Sequence, residues 1–206
     1  MTEDREDAGL AGKVAIVSGG GAAGDGIGNG RAAAILLARA GTKVVVADLD
    51  PGLAGRTVEM IEAEAGVALA MACDATVETE CKRLVEATVD RWGRLDFLDN
   101  NVGIGSRGSV VEEKPEQYRR VMQINVESMF LLSKYAIPAM IKTAKGGAIV
   151  NISSISALRP RGGDPAGPRR HQSAGGRSRS RRGRTHRRDD RGRGRHGGSL
   201  WRRRHP

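Results

Sequence analysis

The sequence predicts an α/β fold over residues 10–158: a doubly wound parallel sheet with helices on both faces. Three observations predict it. Short apolar runs alternate with segments whose apolar residues recur at helical spacing, which is the pattern of βαβ units. The runs are almost continuously apolar, as strands covered on both faces must be. The first run ends in glycines that lead straight into a helix, the arrangement that cradles a diphosphate.

The elements follow in order. Lys13–Ser18 is a short buried strand. Ile27–Ala40 is Ala/Leu-rich and stops at Gly41, so it reads as a helix with a glycine at its C-terminus. Lys43–Asp48 is the second strand. Leu53, Thr57, Met60 and Ile61 keep helical spacing. Val67–Cys73 is a third, weaker strand, and Val77, Cys81, Leu84, Val85 and Thr88 mark the next helix. Leu95–Leu98 is the fourth strand. Pro115–Lys142 is a long helix with Tyr118, Met122, Asn125, Met129 and Leu132 on one stripe, and Ala148–Ile152 is the fifth strand. Parallel sheets bind ligands beyond the carboxyl ends of their strands, so the informative residues are those that close each strand.

Composition divides the chain. Residues 159–206 hold 17 Arg, no Lys and three acids, a net charge of +14, and Leu200 and Trp201 are their only large apolar side chains. The preceding residues carry a net charge of −4. We therefore expect three parts: an acidic N-terminal extension (1–9), a domain with a core (10–158), and an Arg/Gly-rich tail (159–206). The tail buries too little apolar surface to offset its ordering entropy, so it is expected to be disordered. No apolar run reaches membrane-spanning length, and the acidic N-terminus has no signal-peptide core. Cys73 and Cys81 lack metal-ligand spacing. No metal site is expected, and the cytoplasm, with both thiols reduced, is the expected location.

The turn Ser18–Gly28 lies between strand and helix, where free helical N–H groups meet an anion. Two glycine sets fit it: Gly19, Gly26 and Gly28, preferred because Gly26-Ile27-Gly28 opens the helix, or Gly19, Gly21 and Gly24. Asp48 closes the second strand, where a carboxylate accepts hydrogen bonds from an adenosine ribose and repels a 2′-phosphate. That favours NAD over NADP. A solvated strand end or a helix cap is the other reading of Asp48. Asp74, after the third strand, either borders the adenine or caps a helix. Asn125 is a polar group on an apolar stripe and needs a hydrogen-bond partner.

Four stretches in this order resemble the short-chain dehydrogenase/reductase family: the glycine turn, Asp48, Asn100-Asn101-Val102-Gly103 and Asn151-Ile152-Ser153-Ser154. Val102 stands where the family has Ala. Six residues, rather than the family's three, separate Gly19 from Gly26. The resemblance covers roughly residues 10–158 and implies a Rossmann-like fold. It also implies NAD-dependent hydride transfer between an alcohol and a ketone or aldehyde, and homo-oligomeric assembly. Gly19, Gly26, Ile27, Gly28, Asp48, Asp74, Asn100, Asn101 and Gly103 would hold the cofactor. Asn101 and its neighbours would tie strands together on the nicotinamide-ribose side, Asn125 would hold a water in a proton relay, and Ser154 would bond the substrate oxygen. Ser153 would be structural, and Ile104, Gly105 and Ile155 would border the substrate.

The family's general acid/base is the Tyr of a Tyr-x-x-x-Lys about 13 residues past that Ser, on one helix face. Here Gly167 and His171 occupy those positions, the only tyrosines are Tyr118 and Tyr135, and no Lys follows Lys145. The chain is therefore expected to be inactive. The break in composition falls inside the catalytic machinery, which fits a GC-rich gene read out of frame after about residue 159. The alternative is a non-catalytic nucleotide-binding domain with a basic tail. Its Ser178–Arg182 and Arg191–Arg195 resemble segments that bind nucleic-acid backbones nonspecifically.

Overall fold

In the computed structural model, residues 9–22, 26–106 and 108–155 are described. The expected tail (159–206), nearly all of the acidic extension, and Gly24 lie outside the described residues. Among the described residues five parallel strands form one sheet in the order β3-β2-β1-β4-β5. They are β1 (Val14–Ser18), β2 (Lys43–Asp48), β3 (Ala68–Ala72), β4 (Phe97–Asn100) and β5 (Ala148–Asn151). The fold is Rossmann-like, as expected. Strand order reverses at β1, so the crevice between the carboxyl ends of β1 and β4 is where such a sheet takes a ligand.

The helices are α1 (Asn29–Arg39), α2 (Pro51–Glu62), α3 (Glu78–Trp92), α4 (Pro115–Met122) and α5 (Ser128–Ala144). Asp50 starts α2: its carboxylate accepts from Gly52 N (2.8 Å) and Leu53 N (3.3 Å), with Pro51 in the first turn. Gly41, at φ +84°, stops α1 through a bond from its N–H to Ala38 O. Side chains alternate across the sheet. Ile16, Val45 and Leu98 pack under α3 and α5 with Leu84, Leu132 and Met140, whereas Val17, Val44 and Val46 pack under α1 and α2 with Ala34, Ile35 and Ile61. Each fully buried Val, Leu or Ile contributes about 1.5–3 kcal/mol. Among the described residues no helix is long and apolar enough to cross a membrane.

Two expectations are corrected. The fourth strand lies two residues further on than its apolar run. Leu95 and Asp96 are buried but precede the ladder, and Asn100 is its last residue, paired with Asn151. The long helix is interrupted by a π-helical turn, Gln123–Glu127, and its stripe is only partly covered: Leu132 is buried, but Tyr118 and Met122 are exposed.

Two neighbouring carboxyls behave oppositely. Burial pushes Asp96 up, but the Arg94 guanidinium, the Val14 N–H and the nearby charges of Arg94 and Lys13 outweigh it and hold the group below its ordinary value. Asp99 faces the apolar groove of Phe97, Leu36, Val150 and Ile152. Burial pushes it up, and its Oδ1 is buried without a hydrogen-bond partner. A folded-state value above the unfolded one means that ionising Asp99 opposes folding as pH rises through that interval. Asp99→Val should therefore stabilise the chain by about 1 kcal/mol near neutral pH, with the gain shrinking in acid. Urea denaturation at the two pH values checks this, and a less stable variant at neutral pH would contradict it.

Candidate active site

Three chain segments converge on one backbone oxygen. Asn101 Nδ2 donates to Gly19 O (2.9 Å), and Asn101 N–H donates to Ser18 Oγ (3.2 Å), which itself donates to Asp99 O (3.1 Å). The glycine turn is thereby fastened to the end of β4. Gly30, in the first turn of α1, lies flush against the same place. A Cβ there would overlap Gly19 O and Asn101 Nδ2. The sequence reading missed this residue, because the crowding is created by tertiary approach.

Gly28 is the N-cap of α1, so Gly26-Ile27-Gly28 leads directly into the helix, with Ile27 exposed. Asp48 closes β2. Its Oδ2 accepts from Gly21 N (3.0 Å) and its Oδ1 from Asp50 N (3.1 Å). The helix-cap reading of Asp48 therefore fails, since Asp50 caps α2. A Cβ on Gly21 would lie 2.7 Å from Asp48 Oδ2, so a glycine is needed for the turn to reach the carboxylate. Asp74 is not a helix cap either. Its Oδ1 accepts from the N–H (2.9 Å) and hydroxyl (2.7 Å) of Thr76, while Glu80 accepts from Asp74 N–H (2.7 Å), and the N-cap position of α3 is Val77, which makes no side-chain capping bond.

Asn100 is buried and joins β4 to its neighbours. Its Nδ2 donates to Asn151 Oδ1 (2.8 Å) and Ser133 Oγ (3.3 Å). Asn125 finds the partner its position demands. Its Oδ1 accepts from Ile104 N (2.8 Å) and its Nδ2 donates to Ile104 O (2.9 Å), clamping the loop after Gly103. The π-helical turn carries this Asn, and extra residues of this kind are frequent at functional sites. Ser154 is exposed just past β5.

Gly19, Asp48, Asp74, Asn101, Gly103, Asn125 and Ser154 line two contiguous cavities at the carboxyl ends of the strands, whereas Gly26, Ile27, Gly28 and Asn100 border neither. One, of about 620 Å³, is bordered by Gly19, Asp48, Asp74 and Thr76. The other, of about 740 Å³, is bordered by Asn125, Met129, Ser153, Ser154 and Gly105. Asn101, Val102, Gly103 and Ile104 form a wall of both. The exposed Ile155 does not line the second cavity. An elongated ligand spanning both would run from two carboxylates to an Asn and a Ser hydroxyl.

A sequence profile described as enoyl-(acyl carrier protein) reductase matches residues 21–165. The chain belongs to the short-chain dehydrogenase/reductase family. An uncharacterised oxidoreductase of Thermotoga maritima is 40% identical over 147 residues, covering 71% of this chain and 55% of that protein. The 7α-hydroxysteroid dehydrogenase of Escherichia coli K12 is 37% identical over 148 residues, covering 72% of this chain and 55% of that enzyme. Among solved structures, a short-chain dehydrogenase/reductase of Burkholderia xenovorans superposes with a TM-score of 0.70 at 41% identity, covering 73% of this chain and 59% of that one. A 7α-hydroxysteroid dehydrogenase solved with NADH and 7-oxoglycochenodeoxycholic acid gives 0.67 at 37% identity, covering 73% and 56%. The chain thus spans 55–60% of the length of the curated relatives it matches.

Neither tyrosine of this family member lines the cavity that Ser154 borders. Tyr118 is exposed on α4. Tyr135 donates its hydroxyl to Glu78 Oε1 (2.7 Å) between α3 and α5, and that carboxylate, also paired with Lys134, pushes the phenol above its ordinary value. Tyr135 lines an outer groove with Lys82 and Val89 rather than either cavity above.

Proposed function

We propose that residues 10–158 bind NAD(H) across the two cavities and descend from an enzyme that moved a hydride between an alcohol and a ketone or aldehyde. Asp48 carries the reading: one carboxylate is bonded to the glycine turn and also borders the cavity that would take the adenosine ribose. The residues fit a dinucleotide, because Gly21 and Gly30 stand where a Cβ would clash with Asp48 and with Gly19 O, and α1 directs its N-terminus at the turn. Bound NAD would supply the hydride chemistry. Gly19, Gly26, Ile27 and Gly28 would shape the diphosphate site, Asp48 and Asp74 the adenosine end, and Asn100, Asn101 and Gly103 the nicotinamide-ribose side. Asn125 fixes the Ile104 loop, and Ser154 would present its hydroxyl to the substrate oxygen.

The same proposal holds that this chain is inactive, since Gly167 and His171 stand where the acid/base pair belongs, and that its tail is a frameshift product. A nucleic-acid-binding tail is the second reading, favoured by the +14 charge of residues 159–206. Cytoplasmic residence and homo-oligomerisation belong to the proposal too. The exposed Val126 of the π-helical turn and Phe130, Ile137 and Ile141 of α5 recur at helical spacing. Asp48→Ala tests the cofactor assignment. It should weaken NADH binding about tenfold while leaving NADPH no weaker, as followed by fluorescence titration. Unchanged discrimination between the two would refute the assignment.

A further inference from the structure

The most deeply buried charge near the site is one that the proposed cofactor contacts do not use. Arg31, in the first turn of α1, is fully buried. Its Nε donates to Thr57 Oγ1 (3.0 Å), its Nη1 to Gly26 O (2.7 Å) and its Nη2 to Ala22 O (3.2 Å). Thr57, buried on α2, passes the link on, its hydroxyl donating to Gly20 O (2.9 Å). One guanidinium and one hydroxyl therefore hold three carbonyls, at Gly20, Ala22 and Gly26, spread along the lengthened glycine turn. Arg31 also places a positive charge at the N-terminus of a helix, where the dipole disfavours a cation and favours an anion.

We propose that Arg31, supported by Thr57, is the positioning residue of the extended turn. It draws the turn's carbonyls inward and adds fixed positive charge beneath the diphosphate, so dinucleotide affinity depends on it although it lies beneath the turn. The planar fork suits this work: it reaches two carbonyls and a hydroxyl at once, which an ammonium cannot do in the same geometry. The inference rests on the cofactor reading above.

The test compares NADH and adenosine, which has no diphosphate, on the full chain and on Arg31→Met and Thr57→Val. NADH is followed by fluorescence and adenosine by ligand-observed NMR. Salt is held at about 0.3 M to screen the Arg-rich tail. Arg31→Met should weaken NADH by about tenfold or more, and Thr57→Val by about threefold or more, with adenosine unchanged within about twofold. Variants that bind NADH like the unaltered chain would overturn the inference and leave the cofactor reading standing. Parallel loss of NADH and adenosine would overturn it in favour of a merely structural role. If Arg31→Met does not fold, as judged by circular dichroism, the isosteric Thr57→Val decides. Failure of the unaltered chain to bind NADH would overturn the cofactor reading, and this inference with it.

Discussion

Gly30→Ala is expected to abolish detectable NADH binding and to destabilise the domain by about 3 kcal/mol, the upper end of ordinary overpacking. The added methyl overlaps Gly19 O and Asn101 Nδ2, which hydrogen-bond each other, so neither can move without releasing the glycine turn from β4. Backbone yields less readily than a flexible side chain. Gly55→Ala in α2 is the control. Nothing lies within 4 Å of its Cβ position, so helix propensity should make that variant slightly more stable, by about 0.5–1 kcal/mol. Urea denaturation of both variants measures the contrast. Equal stabilities would mean that the close approach of α1 to the turn is not real.

The second large effect concerns turnover. The purified chain is expected to oxidise alcohols with NAD at least about 100-fold more slowly than relatives that have the Tyr and Lys, because general acid/base catalysis supplies that much or more. Tyr135 cannot substitute, since its hydroxyl is committed to Glu78 in the α3–α5 groove and its proton is held more tightly there. The gene offers an independent check: another reading frame past the Arg159 codon should encode Tyr-x-x-x-Lys and further apolar strands. Frames that lack it would sink the frameshift reading and favour a genuine basic tail. Turnover within about 100-fold of those relatives would mean that another group delivers the proton.

The strands were legible because burial on both faces leaves apolar runs that no helix of this length would show. The apolar run Leu95–Leu98 begins two residues before β4 for the same reason. Leu95 and Asp96 are as buried as ladder residues, and apolar patterning registers burial rather than pairing. Asp48, Asn101 and Asn125 were legible by type and position, yet their partners were not. Ile104 meets Asn125 across a gap of 21 residues, through a π-helical turn that leaves no mark in the periodicity. Arg31 did leave a mark. It precedes Ala34, Ile35 and Ala38 by three, four and seven positions, which places a charge on the buried face of α1. Gly30 left none, because only the packed structure shows what a methyl would strike.

Titration of the unaltered full chain with NADH and, in parallel, NADPH tests the central claim most directly. The account predicts saturable one-to-one binding of NADH and weaker binding of NADPH, with Asp48 as the cause. Absence of saturable NADH binding, or NADPH binding as tight or tighter, would contradict it.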